Sequence, residues 1–220
     1  MPSVVIVGAS RGIGHEFAVQ YAAHGWQVFA TVRSADALAA LPVSARGFVA
    51  DVTDEASLAA VAAELPSGID LLILNAGVNV MEGPLADVAA DQWLHVMTTN
   101  ALGPLLAARA MGGKVATGGK IVALSSTLGS IAANAGGGLW SYRMSKAALN
   151  AGMKTLSIEL KRRGIAVAVV HPGWAKTDMG GAGAEVAIPD SVTGLREVIA
   201  ALDMAHTGSF SDYRGNALPW

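Results

Sequence analysis

Tyr142 and Lys146 lie four residues apart in Tyr142-Arg-Met-Ser-Lys146, the spacing that puts two side chains on one face of a helix. A phenol alone titrates near ~10 and is a poor acid or base at neutral pH, but an ammonium beside it favours the phenolate and lowers that value. Such a pair can exchange a proton with a substrate near neutrality. The surrounding residues predict a helix over 140–162, because Ala147, Ala148, Leu149, Met153, Leu156 and Leu160 form a broad apolar stripe. A lysine that merely lays its methylenes over a ring would leave the same pattern, so its meaning rests on what accompanies it.

A second chemical feature opens the chain. Ser3-Val-Val-Ile-Val7 reads as a short buried strand, Gly8-Ala-Ser-Arg-Gly12-Ile-Gly14 follows at once, and an apolar-periodic helix runs over 13–24. Glycines in this order allow a tight turn, close approach of backbone to a ligand and close packing of helix on strand, with the helix amides facing a pyrophosphate. The spacing is not Gly-x-Gly-x-x-Gly, and a purely structural turn is the competing reading. Arg11 lies inside this turn, and the second strand ends Ala30-Thr-Val-Arg33-Ser34 without the carboxylate that would grip an unmodified ribose diol. Two guanidiniums suit a 2′-phosphate, which favours NADP(H) over NAD(H). A carboxylate installed at Val32, with Arg33 removed, is expected to reverse that preference.

The elements that must position these residues alternate regularly. Strands are predicted at 3–7, 27–32, 46–50, 69–74, 120–124, 165–170 and near 208–210, and helices at 13–24, 35–41, 54–64, 89–111, 140–162 and 190–204. Right-handed crossovers turn that order into a single-domain Rossmann-type α/β fold, a doubly wound parallel sheet with helices on both faces. The cofactor half covers about 1–115 and the catalytic and substrate half about 116–220. Gly112–Gly119 and Gly136–Gly138 read as loops, and Gly180–Gly183 as the start of a mobile flap over the site.

Composition narrows the function. A chain of 220 residues, 52% hydrophobic with mean hydropathy +0.44, suits one α/β unit covered on both faces. Its apolar runs are far shorter than the ~20 residues of a spanning helix, and Met1-Pro2 leads straight into the first strand, so no membrane and a cytoplasmic location are expected. Cysteine is absent, which removes disulfides, thiol nucleophiles and thiolate zinc sites. His15, His24, His95, His171 and His206 are scattered with no His-x-x-x-His pair, so no metal is expected. A net charge of -2 with dispersed basic residues gives no footprint for nucleic acid. Lys161-Arg-Arg163 closes the long helix before Gly164, where cations complement the helix dipole.

Together these residues resemble the short-chain dehydrogenase/reductase family over nearly the whole chain. Gly8 to Gly14 matches its Gly-x-x-x-Gly-x-Gly motif, Asn75-Ala76-Gly77 its Asn-Ala-Gly turn, and Asn100 its helix asparagine. Ser126 in Ser-Thr-Leu-Gly matches the catalytic serine, and Pro172-Gly173 with Thr177-Asp178-Met179 the segment that grips the nicotinamide end. The His171-Pro-Gly-Trp174 motif and the ending at Trp220 are most similar to the branch containing the C-factor signalling proteins and the small carbonyl reductase sniffer.

The resemblance implies a mechanism. Ser126 donates to the carbonyl oxygen, Tyr142 delivers the proton, Lys146 lowers the phenol pKa and holds the nicotinamide ribose, and Asn100 supports a water relay. Ser125 is a rival, since adjacent strand positions point oppositely. Gly8, Ser10, Arg11, Gly12, Ile13 and Gly14 would contact the cofactor from the first turn, and Arg33, Asp51 and Val52 from the next two strands. Asp51 would reach the adenine amino group, its local alternative being a helix N-cap. Asn75, Ala76 and Gly77, together with Tyr142, Lys146, Pro172, Gly173, Trp174 and Thr177, would complete the set.

The implied activity is reversible hydride transfer between NADP(H) and a ketone, aldehyde or alcohol. A nucleotide-sensing signalling protein is the other reading. Dimers or tetramers would form through the helices carrying Asn100 and Tyr142. The stretch from Ser126 to Tyr142 is a few residues longer than the family's common spacing, which makes Asn134, Leu139 and Trp140 candidates for the substrate mouth or for loop packing.

Overall fold

The computed structural model describes residues 1–220. Its centre is one sheet of β1 (Ser3–Val7), β2 (Gln27–Val32), β3 (Arg46–Val49), β4 (Ile69–Leu74), β5 (Val115–Leu124), β6 (Ala166–His171) and β7 (Ser209–Asp212). The order is β3-β2-β1-β4-β5-β6-β7, with every neighbouring pair parallel. Parallel neighbours need crossovers, supplied by α1 (Gly12–Ala23), α2 (Glu55–Glu64), α3 (Ala90–Met97) with α4 (Gly103–Met111), α5 (Trp140–Leu160) and α6 (Ile188–Ala201). The chain winds outward in both directions from β1 and β4, and the reversal opens a crevice at their C-terminal ends.

Strand alternation explains why the strands are apolar almost throughout. Val5, Val7, Leu72 and Ile121 pack with Leu58, Leu106, Leu149 and Met153 beneath α2, α4 and α5. Their neighbours Val4, Ile6, Leu71 and Val122 pack with Phe17, Tyr21, Val192 and Leu195 beneath α1 and α6. Both faces of each central strand are therefore core, and each fully buried Leu or Phe adds about 1.5–3 kcal/mol. The helix layers that carry the chemistry are held by this double core.

Three expectations need correction. The helix predicted over 89–111 is α3, a π-helical turn over Thr98–Leu102, and α4. Pro104 has no N–H for the carbonyl of Asn100 four residues earlier, and the Gly103 amide bonds Thr98 O, five residues back. The segment 112–119 is not a loop: β5 begins at Val115, and its glycines accommodate a register shift between Ile69↔Val115 and Leu71↔Lys120. Residues Ala35–Ala40 form a 3₁₀ turn rather than an α-helix.

Candidate active site

The π-helical turn places Asn100 at the sheet's C-terminal edge. It is 0% exposed, with Oδ1 accepting the Val78 amide at 2.7 Å and Nδ2 donating to Val78 O at 2.8 Å and Ser145 Oγ at 3.0 Å. Asn100 thus joins the segment after Asn75-Ala76-Gly77 to α5. A methyl on Gly77 would lie 3.4 Å from Asn100 Oδ1 and 3.5 Å from Lys146 Nζ, so three separate elements converge there. The main-chain carbonyl of Asn100 has no N–H to accept from Pro104, four residues on.

Two serines end β5, and the structure separates them. Ser125 Oγ donates to Asn150 Oδ1 at 2.7 Å, committing its hydroxyl to the interior. Ser126 Oγ accepts the Leu128 amide at 3.1 Å, which leaves its own proton free to donate, and its hydroxyl lies near enough to the Tyr142 phenol to favour ionisation. Gly129 allows this approach, because a methyl there would sit 2.8 Å from Lys146 Cβ.

The expected effect of Lys146 on the phenol is corrected. Burial pushes Tyr142 up to about 12, opposed by the nearby Ser126 hydroxyl. The same burial pushes Lys146 down to about 8. Lys146 Nζ donates to Leu124 O at 2.9 Å and lies 5.7 Å from the Tyr142 ring centre. Desolvation therefore dominates the shift of both groups in the folded chain.

The glycine turn has a structural reason at each of its three glycines, Gly12 through its φ of +58. Gly8 has φ +91 and lies so near Ala76 that a methyl would approach its backbone to 2.8 Å, while one on Gly14 would come within 2.1 Å of Gly8 O. Asn75 Nδ2 donates to Gly8 O at 2.6 Å, and Thr31 Oγ1 accepts the Gly8 amide at 3.0 Å. The turn, β2 and β4 are thereby locked together.

Helix α1 then starts with no side-chain cap and no acidic residue in its first turn. Its leading N–H groups, from Gly12, Ile13 and Gly14, keep their field for an outside anion, which fits a pyrophosphate. Ser10 Oγ accepts the Arg33 amide at 3.4 Å, and the Arg33 side chain is exposed. Arg11 is exposed as well, but its guanidinium bonds Asp178 at 2.5 Å. An exposed pair of this kind is worth about 0–1 kcal/mol, little enough for a phosphate to displace.

Asp51 is not the N-cap of α2. Asp54 takes that role by accepting the Ala56 amide at 2.9 Å, while Asp51 Oδ1 accepts from the Thr53 hydroxyl and amide at 2.7 and 2.8 Å. Those bonds hold its pKa below the usual carboxylate value, with Arg33 and His95 adding smaller pulls against partial burial. Val52 is buried against the position where a Gly103 methyl would stand.

Val32, the last residue of β2, is 1% exposed and packs with the core under α1 and α6. Its neighbour Thr31 is 2% exposed, and its hydroxyl is committed to the Gly8 amide.

Beyond β6, Pro172 O accepts the Ser191 hydroxyl at 2.6 Å, and Gly173 adopts φ +76 against Tyr213. The segment from Trp174 to Val186 closes on itself through a bridge between Ala175 and Val186. Trp174 Nε1 donates to Gly180 O at 2.8 Å, and Thr177 Oγ1 accepts the Gly180 amide at 3.1 Å. The long stretch before Tyr142 is exposed over 131–138 but bonded within itself. Asn134 Oδ1 accepts the Gly137 amide at 3.0 Å, and Arg143 Nε donates to the carbonyls of Gly137 and Gly138. Leu139 is left-handed at φ 48, and Trp140 is 38% exposed.

Sequence reasoning missed Glu82 and Ser145, and named Asp178 within Thr177-Asp178-Met179 without its pairing to Arg11. Ser145 could have been found from its three-residue offset to Tyr142, whereas Glu82 and Asp178 lie in loops with no periodic signal. No group of three or more His, Asp and Glu side chains gathers as a metal ligand set, and no helix is long and apolar enough to cross a membrane.

Comparison with known proteins bears on the same residues. C-signal of Myxococcus xanthus is 43% identical over 154 residues, which are 69% of this chain and 93% of that protein. The crystal structure of NADPH-bound carbonyl reductase from chicken fatty liver superimposes with TM-score 0.92 at 33% identity, covering 100% of this chain and 99% of that one. Carbonyl reductase Sniffer of Drosophila melanogaster does so with TM-score 0.92 at 29% identity, covering 100% of both chains. The short chain dehydrogenase model matches residues 2–185, a span that holds the glycine turn, Asn100, Ser126 and Tyr142 alike, and the chain belongs to that family.

Proposed function

We propose that this oxidoreductase is an NADPH-dependent carbonyl reductase, running in reverse as an alcohol dehydrogenase. The observation that carries the reading is the buried group of Ser126, Tyr142 and Lys146 at the mouth of a crevice whose other wall is an uncapped helix N-terminus. The nicotinamide cofactor, when bound, supplies the hydride that reduces the carbonyl carbon. Arg11 and Arg33 would hold its 2′-phosphate, the α1 amides its pyrophosphate, and Asp51 and Val52 its adenine. Asn75, Ala76 and Gly77 would form the floor, and Pro172, Gly173, Trp174 and Thr177 the nicotinamide wall. The NADPH-bound state of the chicken reductase supports this choice of cofactor.

Ser126 donates to the carbonyl oxygen as negative charge grows there. Tyr142 releases its proton to that oxygen; a phenol held near 12 stays protonated at neutral pH and so is competent as an acid. Lys146, near 8, is mainly an ammonium at neutral pH. It steadies the phenolate as it forms and passes a proton back through a water on the Asn100 carbonyl.

The test is NADPH and NADH oxidation with a panel of ketones and aldehydes, on wild type and Tyr142→Phe. Turnover with at least one activated carbonyl, nearly abolished in the variant with cofactor affinity retained, is the expected result. Full activity in Tyr142→Phe would exclude the assignment. The likeness to C-signal favours a second reading, a signalling protein that senses its nucleotide. Tight cofactor binding without turnover, with a partner captured in one redox state only, would support that reading instead.

A further inference from the structure

Helix α5 has no cap of its own. Leu139 stands at its N-cap in a left-handed conformation with no capping hydrogen bond, the first turn contains no acidic residue, and Leu139 is the only non-glycine residue with positive φ. Ser141 cannot substitute, since its buried Oγ has no partner. The amide of Ser141 is satisfied from elsewhere: Glu82, 59 residues earlier in the chain, accepts it through Oε2 at 2.8 Å. From Met81 to Asp87 every residue but Glu82 is exposed, so one side chain of that loop turns inward, toward the helix start beside Tyr142.

A second tether grips the same turn one helical step later. Ser145 Oγ accepts Asn100 Nδ2 at 3.0 Å and donates to the carbonyl of Tyr142 at 2.8 Å. Asn100 also holds both main-chain groups of Val78. Residues 141 and 145 are thus each fastened toward the segment that follows Asn75-Ala76-Gly77, and Tyr142 lies between the two fastenings. Misplacing a reacting group by about 1 Å costs on the order of 100-fold in rate, and an anionic acceptor at a helix N-terminus is well suited to prevent it.

We propose that Glu82 is a positioning residue for Tyr142, serving as the missing cap of the helix that carries the phenol. This rests on the reading of Tyr142 as the proton donor. Removing the tether frees the first turn of α5 while leaving the glycine turn, the arginines and the core intact, so the loss falls on kcat and not on cofactor binding.

The experiment compares Glu82→Ala and Glu82→Gln with wild type in steady-state carbonyl reduction and in amide hydrogen exchange, with thermal unfolding as the control for folding. Glu82→Ala should lower kcat about tenfold with KM for NADPH changed by less than about twofold. Exchange at the Ser141 amide should quicken about tenfold. Glu82→Gln, which keeps an acceptor oxygen, should restore most of both. Wild-type kcat in Glu82→Ala, or equal losses in folded Glu82→Gln and Glu82→Ala, would overturn the proposal. If wild type reduces no carbonyl, the reading of Tyr142 fails; unchanged Ser141 exchange in Glu82→Ala would then overturn the tether on its own.

Discussion

Lys146→Met should make the protein inactive and, at neutral pH, no less stable than wild type. Burial lowers Lys146 from its ordinary 10.5 to about 8, and each unit is worth about 1.4 kcal/mol, so holding the ammonium inside at pH 7 costs on the order of 3 kcal/mol. Methionine fills similar volume without a charge. Against that gain, the Leu124 carbonyl loses the donor it now has at 2.9 Å, and a buried acceptor left unpaired costs about 1–3 kcal/mol. The net change at pH 7 is about 0–2 kcal/mol in favour of the variant, or a rise in Tm of up to about 8 °C.

The pH dependence is the sharper readout. Between pH 8 and 10.5 the unfolded lysine holds a proton that the folded one has released, so wild-type stability rises through that window while the methionine variant lacks this contribution. The advantage of the variant should shrink by roughly 2–3 kcal/mol between pH 7 and pH 10. Urea unfolding of both proteins at the two pH values measures it, with m-values compared to confirm a like-for-like transition. A stability difference independent of pH would refute the reasoning, because it would mean that Lys146 is charged inside at no cost.

Ser126→Ala should lower turnover on the order of 100-fold, the loss of one dominant oxyanion donor. Ser125→Ala should leave kcat within about threefold and instead cost about 1 kcal/mol in stability, since its hydroxyl serves Asn150; equal kinetic losses at both positions in folded protein would reverse the choice. Arg33→Ala should weaken NADPH relative to NADH by about tenfold. Adding Val32→Asp, at the last residue of β2, should carry the preference over to NADH, and steady-state kinetics with both cofactors would sink this reading if wild type already favours NADH.

Much of this protein was written into its sequence because the interactions concerned are local. The first strand, the glycine turn and α1 are consecutive, so their order and apolar periodicity declare a strand, a ligand-facing turn and a helix. Tyr142 and Lys146 share a helix face for the same reason, and the strand alternation of Ser125 and Ser126 already posed the right choice between them.

What tertiary structure decided depends on contacts between distant segments. Only the packed chain shows Ser125 spent on Asn150, Val32 packed in the core and burial raising Tyr142, because desolvation is a property of the surroundings and not of spacing. The break of the helix at Asn100 lay within reach through Pro104, four residues on. The acceptor for the Ser141 amide did not: Glu82 lies in another loop, and no periodicity links a loop carboxylate to the start of a helix that only the folded sheet brings beside it.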